Sequence, residues 1–332
     1  MTPGRCIVEV LRGDVVESSH RVHVAVHHAE QGLVASAFNP AHHSFVRSAI
    51  KMFQAMPFVE AGGVAHFGLT GEELALCTAS HGGEPFHVAA ARSILAKVKV
   101  TDEAMVCGPH LPLHEPTAHA MIAAGEKPGR IHNNCSGKHA GMLACCVCQQ
   151  WVTNGYHRAA HPLQQRIRTT LQRWMRIDPD DIEAAVDGCG LPTFAIALDA
   201  VAEGCARFAA AAADTTTAAS TVVGAMVDHP EFVAGTDRLD TDLMRAAGKR
   251  LFAKVGAEGF YCAGIPSMQL GIALKVEDGA KRAAESALLA VLHRVDALTA
   301  AELDRLERYA QPRILNTRQE AVGRVRTSLD FG

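Results

Sequence analysis

The 332-residue chain has few aromatic residues, no long apolar run and no large excess of charge of one sign. Aromatic residues make up 5% of the chain, and the formal net charge is −3. Without a basic excess the chain lacks the electrostatic pattern of proteins that bind nucleic acid or an anionic membrane surface. No apolar run reaches the roughly 18 residues of a membrane span, and residues 1–10 do not form a secretion signal. We therefore expect a globular protein with neither nucleic acid nor membrane as a partner.

The chain also lacks the cysteine spacing of a disulfide-stabilised or zinc-ribbon protein. It has ten cysteines, but in a chain of this length they do not form a recognisable disulfide framework. Cys145, Cys146 and Cys148 crowd one apolar segment, which favours buried, reduced thiols over a redox sensor. A reducing, cytoplasmic location is the natural interpretation. Four histidines lie in strand-like sequence: His20, His23, His27 and His28. We predict that they are surface residues and not metal ligands.

Alternating apolar and polar residues predict strands near both ends of the chain, and the middle is mostly helical in pattern. We predict an α+β fold in which residues 1–57 and 222–332 form one lobe, with an antiparallel sheet built from both chain ends and flanking helices. Residues 58–221 would form a helical lobe, and a site would lie in the cleft between the lobes. The predicted strands are 6–12, 21–28, 32–38, 260–265 and 270–276, and the predicted helices of the first lobe are 44–56 and 281–306.

A serine and a lysine three residues apart, Ser48 and Lys51, form a candidate nucleophile and base. In a helix both side chains would face the same way. A serine hydroxyl needs a neighbour to take its proton, and lysine can do so only when burial or a nearby cation, such as Arg47, lowers its pKa. Alone, the motif is common and usually marks a helix surface. A second serine in a glycine-rich loop, Ser80, and Lys254-Val255-Gly256 before a strand supply the other parts of such hydrolases.

The segment His132 to Gly141 concentrates a thiol, a hydroxyl, an amine and two imidazoles. Cys135 here and Cys189 in a second glycine-bearing loop are potential thiolate ligands for zinc, and catalytic zinc commonly keeps three protein ligands. His132, Lys138 and His139 are candidates for the third. From the residues alone, two ordinary reduced cysteines are the simpler interpretation. A Cys135 nucleophile with His132 or His139 as base ranks below Ser48.

Together these segments resemble the asparaginase II-like family, the class 3 or rhizobial-type L-asparaginases. The resemblance covers nearly the whole chain. It rests above all on Asn-Asn-Cys-Ser-Gly-Lys-His, residues 133–139, and on Asp-Gly-Cys-Gly-Leu-Pro-Thr, residues 187–193. Both motifs are long and chemically unusual, and their joint occurrence is specific.

This resemblance implies a fold like that of serine β-lactamases and serine glutaminases. It also implies hydrolysis of L-asparagine to L-aspartate and ammonia, a bound zinc ion and a homodimer. Ser48 would be the nucleophile with Lys51 as its base, and Ser80 and Lys254 would form a second pair. The implied zinc ligands are Cys135, Lys138 and Cys189, in place of the simpler interpretation above. The implied substrate-binding residues are Arg47, His81, Asp187 and Asp240.

One motif departs from the family pattern. The family usually has Arg-x-Cys-Thr-Asp-Leu-Met, but residues 238–244 place Asp240 where the thiol is expected. A carboxylate there would change metal affinity, substrate affinity or pH optimum if the position lines the site. The match of Lys254 is also looser than the others, and Lys275 is the runner-up for its role.

Two alternative functions follow from the same residues. A glutaminase or another amidase on this scaffold is separated from an asparaginase by one methylene of substrate, which a pocket discriminates by only about 1–3 kcal/mol. A catalytically silent protein that binds zinc or an amino acid would be expected to have lost one of the two serine–lysine pairs, and neither pair is incomplete.

Overall fold

The computed structural model describes residues 4–178 and 181–332. The chain divides into two compact units that each draw on several segments. The first unit contains the chain up to Ala49, Ala195–Ala210 and Asp242–Gly332. The second contains Ile50–Phe194 and Ala211–Thr241. Residues 1–3 of the predicted sheet lobe and residues 179 and 180 of the predicted helical lobe lie outside the described residues.

Along the chain, groups of consecutive strands alternate with groups of consecutive helices. The strands are β1 Arg5–Arg12, β2 Val15–His28, β3 Gly32–Ala37, β4 His43–Phe45, β5 Glu183–Val186, β6 Pro192–Ala197, β7 Phe252–Val255, β8 Phe260–Ile265, β9 Leu270–Val276, β10 Arg313–Leu315 and β11 Ala321–Asp330. The helices are α1 Lys51–Glu60, α2 Gly63–Phe67, α3 Gly71–Cys77, α4 Pro85–Lys97, α5 Glu115–Ala123, α6 Ser136–Cys148, α7 Pro162–Met175, α8 Leu198–Ala212, α9 Ala218–Asp228, α10 Pro230–Val233, α11 Leu239–Ala246, α12 Lys281–Arg294, α13 Ala300–Arg305 and α14 Glu307–Ala310.

The first unit is built on an antiparallel sheet that combines strands from both ends of the chain. Its order in the described residues is β10-β11-β1-β2-β9-β8-β7, and β3 also pairs with β2. The N-terminal strand lies directly against the C-terminal one, with Arg5 opposite Asp330 and Arg12 opposite Gly323. This arrangement confirms the predicted α+β class and the use of both chain ends.

One face of the sheet is covered by α12, which packs against β1, β2, β8, β9 and β11. Successive residues of a strand point to opposite faces. Val8 and Val10 of β1 and Val22, Val24 and Val26 of β2 are therefore buried together. Burial of this apolar face against α12 is what fixes the register of the central strands, since a one-residue slip would turn every one of these side chains away from α12.

The prediction that the β2 histidines lie on the surface is wrong for three of the four. His20, His23 and His27 are buried, while His28 is only partly so. His20 bonds Asp278 through Nδ1 at 2.6 Å, and the ring of His23 stacks on that of His42 at 4.2 Å. His20 shares the face of Val22 and Val24, whereas His23 and His27 lie on the opposite face. A period-2 pattern marks which residues share a face, but it does not show that other parts of the chain cover both faces.

The second unit is mostly helical, and α1 and α6 lie at its centre. α1 packs against α6, α7 and α9, while α6 also packs against α3 and α4. Ser136–Cys146 of α6 are all buried, so this helix has no solvent face until its last turn. Three of its residues are polar at the N-terminal end, where Ser136, Lys138 and His139 each have less than one-tenth of their surface exposed.

Two predicted helices have different bounds in the structure. The predicted helix 44–56 is instead the end of β4, a 3-10 turn over Arg47–Ile50, and α1, which continues through Pro57 to Glu60. The predicted helix 281–306 is interrupted after Arg294, because Asp296 adopts φ +59 and Thr299 caps a new helix with its hydroxyl. No sequence pattern anticipated the C-terminal strands β10 and β11.

No helix among the residues placed by the structure has both the length and the apolar character needed to cross a bilayer.

The close packing of α8 on β9 generates the first prediction. A Cβ on Gly271 would lie 2.1 Å from Ala206 N and 2.2 Å from Ala202 O, which are backbone atoms of α8. Gly271→Ala must therefore push the helix off the sheet, and we expect it to lower the free energy of unfolding by about 1–3 kcal/mol. Urea denaturation measures this change.

The matched control is Gly224→Ala in α9, where a new Cβ meets nothing within 4 Å. Alanine is the better helix former, so this variant should be unchanged or more stable by up to about 1 kcal/mol. Equal stability of the two variants would contradict the close approach described for Gly271.

Candidate active site

The candidate residues fall into both units. In the second unit lie Lys51, Ser80, His81, Cys135, Lys138, Asp187, Cys189 and Asp240, and in the first lie Arg47, Ser48 and Lys254.

The amine of Lys51 is the centre of the polar cluster in the second unit. Lys51 is the first residue of α1 and is 0% exposed. Its Nζ donates to Ala79 O at 2.5 Å and lies 2.9 Å from Ser80 Oγ and 3.2 Å from Cys135 Sγ. Three partners match the three N–H bonds of an ammonium group. In the neutral amine only two N–H bonds remain, and the Ser80 hydroxyl can reverse its role and donate to the nitrogen lone pair.

Burial and the interaction with Cys135 shift the pKa of the Lys51 amine in opposite directions. Burial lowers the pKa of the Lys51 amine, because removal from water penalises the charged form. The thiol group of Cys135 opposes that shift, while Lys138 adds to it. The amine is therefore closer to neutrality than an exposed lysine, which is the condition for a lysine to accept a proton.

Two thiols and a second lysine meet beside Lys51. The hydrogen bond from Cys189, together with the nearby amines of Lys138 and Lys51, holds the pKa of Cys135 well below its usual range, against the opposing effect of burial. The pKa of Cys189 is raised, because its thiol bonds Cys135 and is buried. Burial alone would lower the pKa of Lys138, but Cys135, Cys189 and Asp187 together raise it. Of the two thiols, Cys135 is therefore the one that ionises more readily, and the Lys138 Nζ lies 3.3 Å from Cys189 Sγ.

The loop that carries Ser80, residues 78–84, is fixed by hydrogen bonds on both sides. The Ser80 amide donates to Val233 O at 2.9 Å, and the His81 amide donates to Asn134 O at 3.0 Å. Gly82 O accepts the amide of His114 at 2.9 Å. A glycine-rich loop without regular structure is therefore held on defined neighbours, and one of them directly precedes Cys135.

His81 is fully buried and has one tautomer that satisfies both ring nitrogens. Its Nδ1 accepts the Gly83 amide at 3.1 Å, so Nε2 carries the proton and donates to Ser136 Oγ at 2.9 Å. Burial, and then the neighbouring His87, lower the pKa of His81 well below its ordinary value. The ring is neutral and acts as a rigid hydrogen-bonded link between the Ser80 loop and the start of α6.

Sequence reasoning missed Tyr156, which completes the environment of His139. The Tyr156 hydroxyl accepts the Val106 amide at 3.1 Å and forms a hydrogen bond of 2.5 Å with His139 Nδ1. The other ring nitrogen, His139 Nε2, is buried without a hydrogen-bond partner in the described part of the chain. An isolated tyrosine in a polar loop carries no pattern that could have indicated this contact.

In the first unit, the turn that carries Ser48 is tied to the sheet. Cys262 on β8 donates its thiol to Ala49 O at 2.9 Å, and Cys262 lies opposite Lys254 in the sheet register. A Cβ on Gly256 would meet Val46 O at 2.9 Å and the Ala49 Cβ at 3.3 Å. The glycine two residues after Lys254 is needed because the Ser48 segment passes directly over it.

Arg47, the residue before Ser48, adopts φ +49. A non-glycine residue in this left-handed region is uncommon, and such strain is concentrated at functional sites. Lys254 is 0% exposed and its Nζ donates to Val255 O at 3.0 Å, while Lys275, the runner-up, is 7% exposed and donates to Val276 O.

The donor set for a metal is two thiols and one amine. Among the residues that the structure describes, no group of three or more histidine, cysteine, aspartate or glutamate side chains is placed to hold a metal ion. Cys135, Lys138 and Cys189 contain only two donors of those kinds. Their sulfur and nitrogen atoms nevertheless converge, and the lowered pKa of Cys135 favours its thiolate form, which suits the preference of zinc for thiolate and nitrogen ligands.

Asp240 lies in the first turn of α11 and is only 1% exposed. The carboxylate that replaces the expected thiol is therefore a buried group. Burial of a carboxylate is costly unless hydrogen bonds or a nearby cation compensate it.

The family model described as L-asparaginase II matches residues 8–327, nearly the whole chain. A search of curated proteins finds no match.

Proposed function

The chain belongs to the L-asparaginase II family, and on that premise we propose that it is an amidohydrolase that converts L-asparagine to L-aspartate and ammonia through a serine acyl-enzyme. The family description supports an amide hydrolase acting on a small molecule. The choice of asparagine and the course of the reaction are the proposal.

The observation that carries this proposal is the environment of the Lys51 amine. It is fully buried and contacts one carbonyl, one hydroxyl and one thiol group. An amine that can exist in both protonation states without losing a partner is suited to general base catalysis, in which it must take up a proton and later return it.

The reaction would proceed by two acyl transfers. Ser48 Oγ attacks the side-chain amide carbon of asparagine while neutral Lys51 takes the hydroxyl proton, and backbone N–H groups near Ser48 stabilise the oxyanion. The carbon–nitrogen bond then breaks, and ammonia leaves with a proton. Water attacks the aspartyl ester, which releases aspartate and restores the Ser48 hydroxyl.

Ser80 and Lys254 are proposed as the second serine–lysine pair. Their function would be to deliver the proton to the departing ammonia and, through the charge on Lys254, to favour the neutral form of Lys51. Arg47, His81, Asp187 and Asp240 are proposed to position the substrate.

Cys135, Lys138 and Cys189 are proposed to hold a zinc ion. When bound, zinc would supply an electrophilic centre that orients the α-carboxylate or α-amino group of the substrate. Lys138 can ligate only as the neutral amine, so metal binding must displace its proton. Asp187, two residues before Cys189, would orient this centre.

The same family resemblance supports two broader proposals, a fold like that of serine β-lactamases and glutaminases and a homodimer, and the cysteines support a third, a cytoplasmic location. All ten cysteines are free thiols, and nine of them are buried. Reduced thiols in this number support a reducing compartment.

Ammonia release from L-asparagine and from L-glutamine tests the proposed activity. We expect rapid release from asparagine, and we expect Ser48→Ala to lower kcat by at least about 10³-fold, since removal of the nucleophile leaves only binding and oxyanion stabilisation. Ser267→Ala is the matched control, because Ser267 also lies in a 3-10 turn, Pro266–Met268, but is exposed. Retained turnover in Ser48→Ala would contradict the role of Ser48, and faster release from glutamine would identify a glutaminase.

Two buried lysines on the sheet allow the proton-donor assignment to be tested. Lys254→Met should lower kcat by about 10²–10⁴-fold, the usual effect of losing a general acid, with little change in the thermal midpoint. Lys275→Met removes a lysine of similar burial from β9, which β8 separates from the strand of Lys254, and should leave kcat within about threefold, the error of such a comparison. Loss of activity in Lys275→Met alone would reverse the assignment.

Metal content and steady-state kinetics test the zinc proposal. We expect about one zinc ion per chain, and little zinc in Cys135→Ser or Cys189→Ser. Chelation should raise the KM for asparagine more than it lowers kcat, because an orienting ligand contributes to binding in the ground state as well as in the transition state. Cys148→Ser, the control, should keep its zinc. Full zinc content in both ligand variants would exclude this centre.

A further inference from the structure

Glu84 closes the loop that begins at Thr78 and is almost completely buried, with 5% of its surface exposed. Its carboxylate does not point to solvent but reaches residues 234–236, which are about 150 positions later in the chain. Oε2 accepts the Thr236 amide at 3.0 Å, and Oε1 accepts the Thr236 hydroxyl at 2.6 Å.

His87, the histidine next to Glu84 on α4, does not act as its cationic partner. His87 Nδ1 lies 3.7 Å from Glu84 Oε2, but it accepts the amide of Glu84 itself, and Nε2 bonds Glu231 O at 2.8 Å. Burial lowers the pKa of His87 to about 4, so this ring is neutral at neutral pH. The two donors of Thr236 are therefore the closest hydrogen-bond partners of this carboxylate.

The Glu84 contact belongs to a longer pairing of two segments. Ser80 donates its amide to Val233 O, three residues before Thr236. Gly235 between them adopts φ +116, and a Cβ there would lie 2.5 Å from Glu84 Oε2 and 3.3 Å from Gly82 N. Residues 80–84 and 233–236 thus lie side by side, and the Glu84 carboxylate fixes the far end of the contact whose near end is the Ser80 amide.

Residues 233–236 lead directly to the start of α11, where Asp240 lies. Thr241 on that helix donates its hydroxyl to Gly235 O at 2.7 Å and approaches Pro230 O at 3.1 Å. The backbone around Gly235 is consequently held from one side by Glu84 and from the other by Thr241. A shift at Thr236 would be transmitted to both Ser80 and the first turn of α11.

We propose that Glu84 is a positioning residue that, through Thr236, sets the placement of the Ser80 hydroxyl and of the α11 segment with Asp240. The catalytic consequence of this inference rests on the proposed amide hydrolysis. The contact of Glu84 with Thr236 that holds residues 80–84 against residues 233–236, here called the clamp, can be tested separately. Glu84 touches neither Lys51 nor the thiols in the contacts given above.

Steady-state kinetics with asparagine test the catalytic consequence. Glu84→Ala should lower kcat by about 10²-fold, the effect of a misplacement of about 1 Å in a catalytic group, with a smaller change in KM. Thr236→Val, which removes only the hydroxyl donor, should lose less, and Thr236→Ser should restore kcat because it keeps that donor. An equal kcat for Thr236→Val and Thr236→Ser would overturn the role of the hydroxyl contact.

Hydrogen exchange of the amides in residues 78–84 tests the clamp without reference to activity. In Glu84→Ala the Ser80 amide should exchange at least about tenfold faster, because its acceptor Val233 O is no longer held in place. The control is Glu302→Gln, which alters a glutamate that likewise accepts a threonine amide, that of Thr299 at 2.9 Å, and bonds Arg250. This control should leave both the exchange of residues 78–84 and kcat unchanged.

The two measurements separate the possible failures. If the wild-type protein releases no ammonia but Glu84→Ala accelerates Ser80 exchange, the proposed function fails and the clamp stands. If Glu84→Ala exchanges faster yet keeps its kcat, the positioning role is overturned. If Glu84→Ala does not fold, the Thr236→Val and Thr236→Ser pair decides by the same two measurements, and unchanged exchange in Thr236→Val together with unchanged kcat would overturn the proposal.

Discussion

The burial of one amine, that of Lys51, is the constraint on which the polar cluster of the helical unit depends. A buried amine must find partners, and the three found here come from two separate segments: Ala79 and Ser80 lie in one loop, and Cys135 precedes α6. Without those contacts the desolvation of the amine would cost several kcal/mol. The loop around Ser80 and the start of α6 therefore have to be ordered for Lys51 to be buried, which explains why each of them carries its own additional hydrogen bonds.

In the sheet unit a chain segment is also held in a defined position, but by different interactions. The segment before Lys51 is positioned there by close contact with a glycine and by a hydrogen bond from a thiol, and not by charge. Gly256 allows the backbone at Val46 and Ala49 to approach β7 closely, and Cys262 donates to the Ala49 carbonyl. Within three consecutive residues, Lys254 thus supplies an amine and Gly256 leaves the space that the Ser48 segment needs. This is a physical reason for the spacing, and it is independent of the family resemblance.

The sequence predicted the class of fold and the kinds of groups in the site better than it predicted their arrangement. Alternation located the central strands, since their buried valines are a local pattern. It could not locate β11, whose side chains are mostly half-buried or exposed, nor show that His20, His23 and His27 are covered. The predicted helix 44–56 stops before Pro57, but α1 continues through this proline to Glu60. The contacts of Glu84 with Thr236 and of His139 with Tyr156 join residues far apart in sequence, and no local pattern encodes them.

The ten free thiols have a consequence for the lifetime of the protein. Burial raises the pKa of Cys77 and Cys146 to about 12 and that of Cys145 still further, so in the folded state these groups are neutral and protected from oxidants. Cys145, Cys146 and Cys148 are neighbours at the end of α6, and an opening of that helix would expose all three together. In an oxidising medium each opening would give oxidants access to these thiols, but a helix closes far faster than thiols usually oxidise. The lifetime of this protein outside a reducing environment is therefore set by the fraction of molecules in which its central helix is open, and hence by the free energy of that opening.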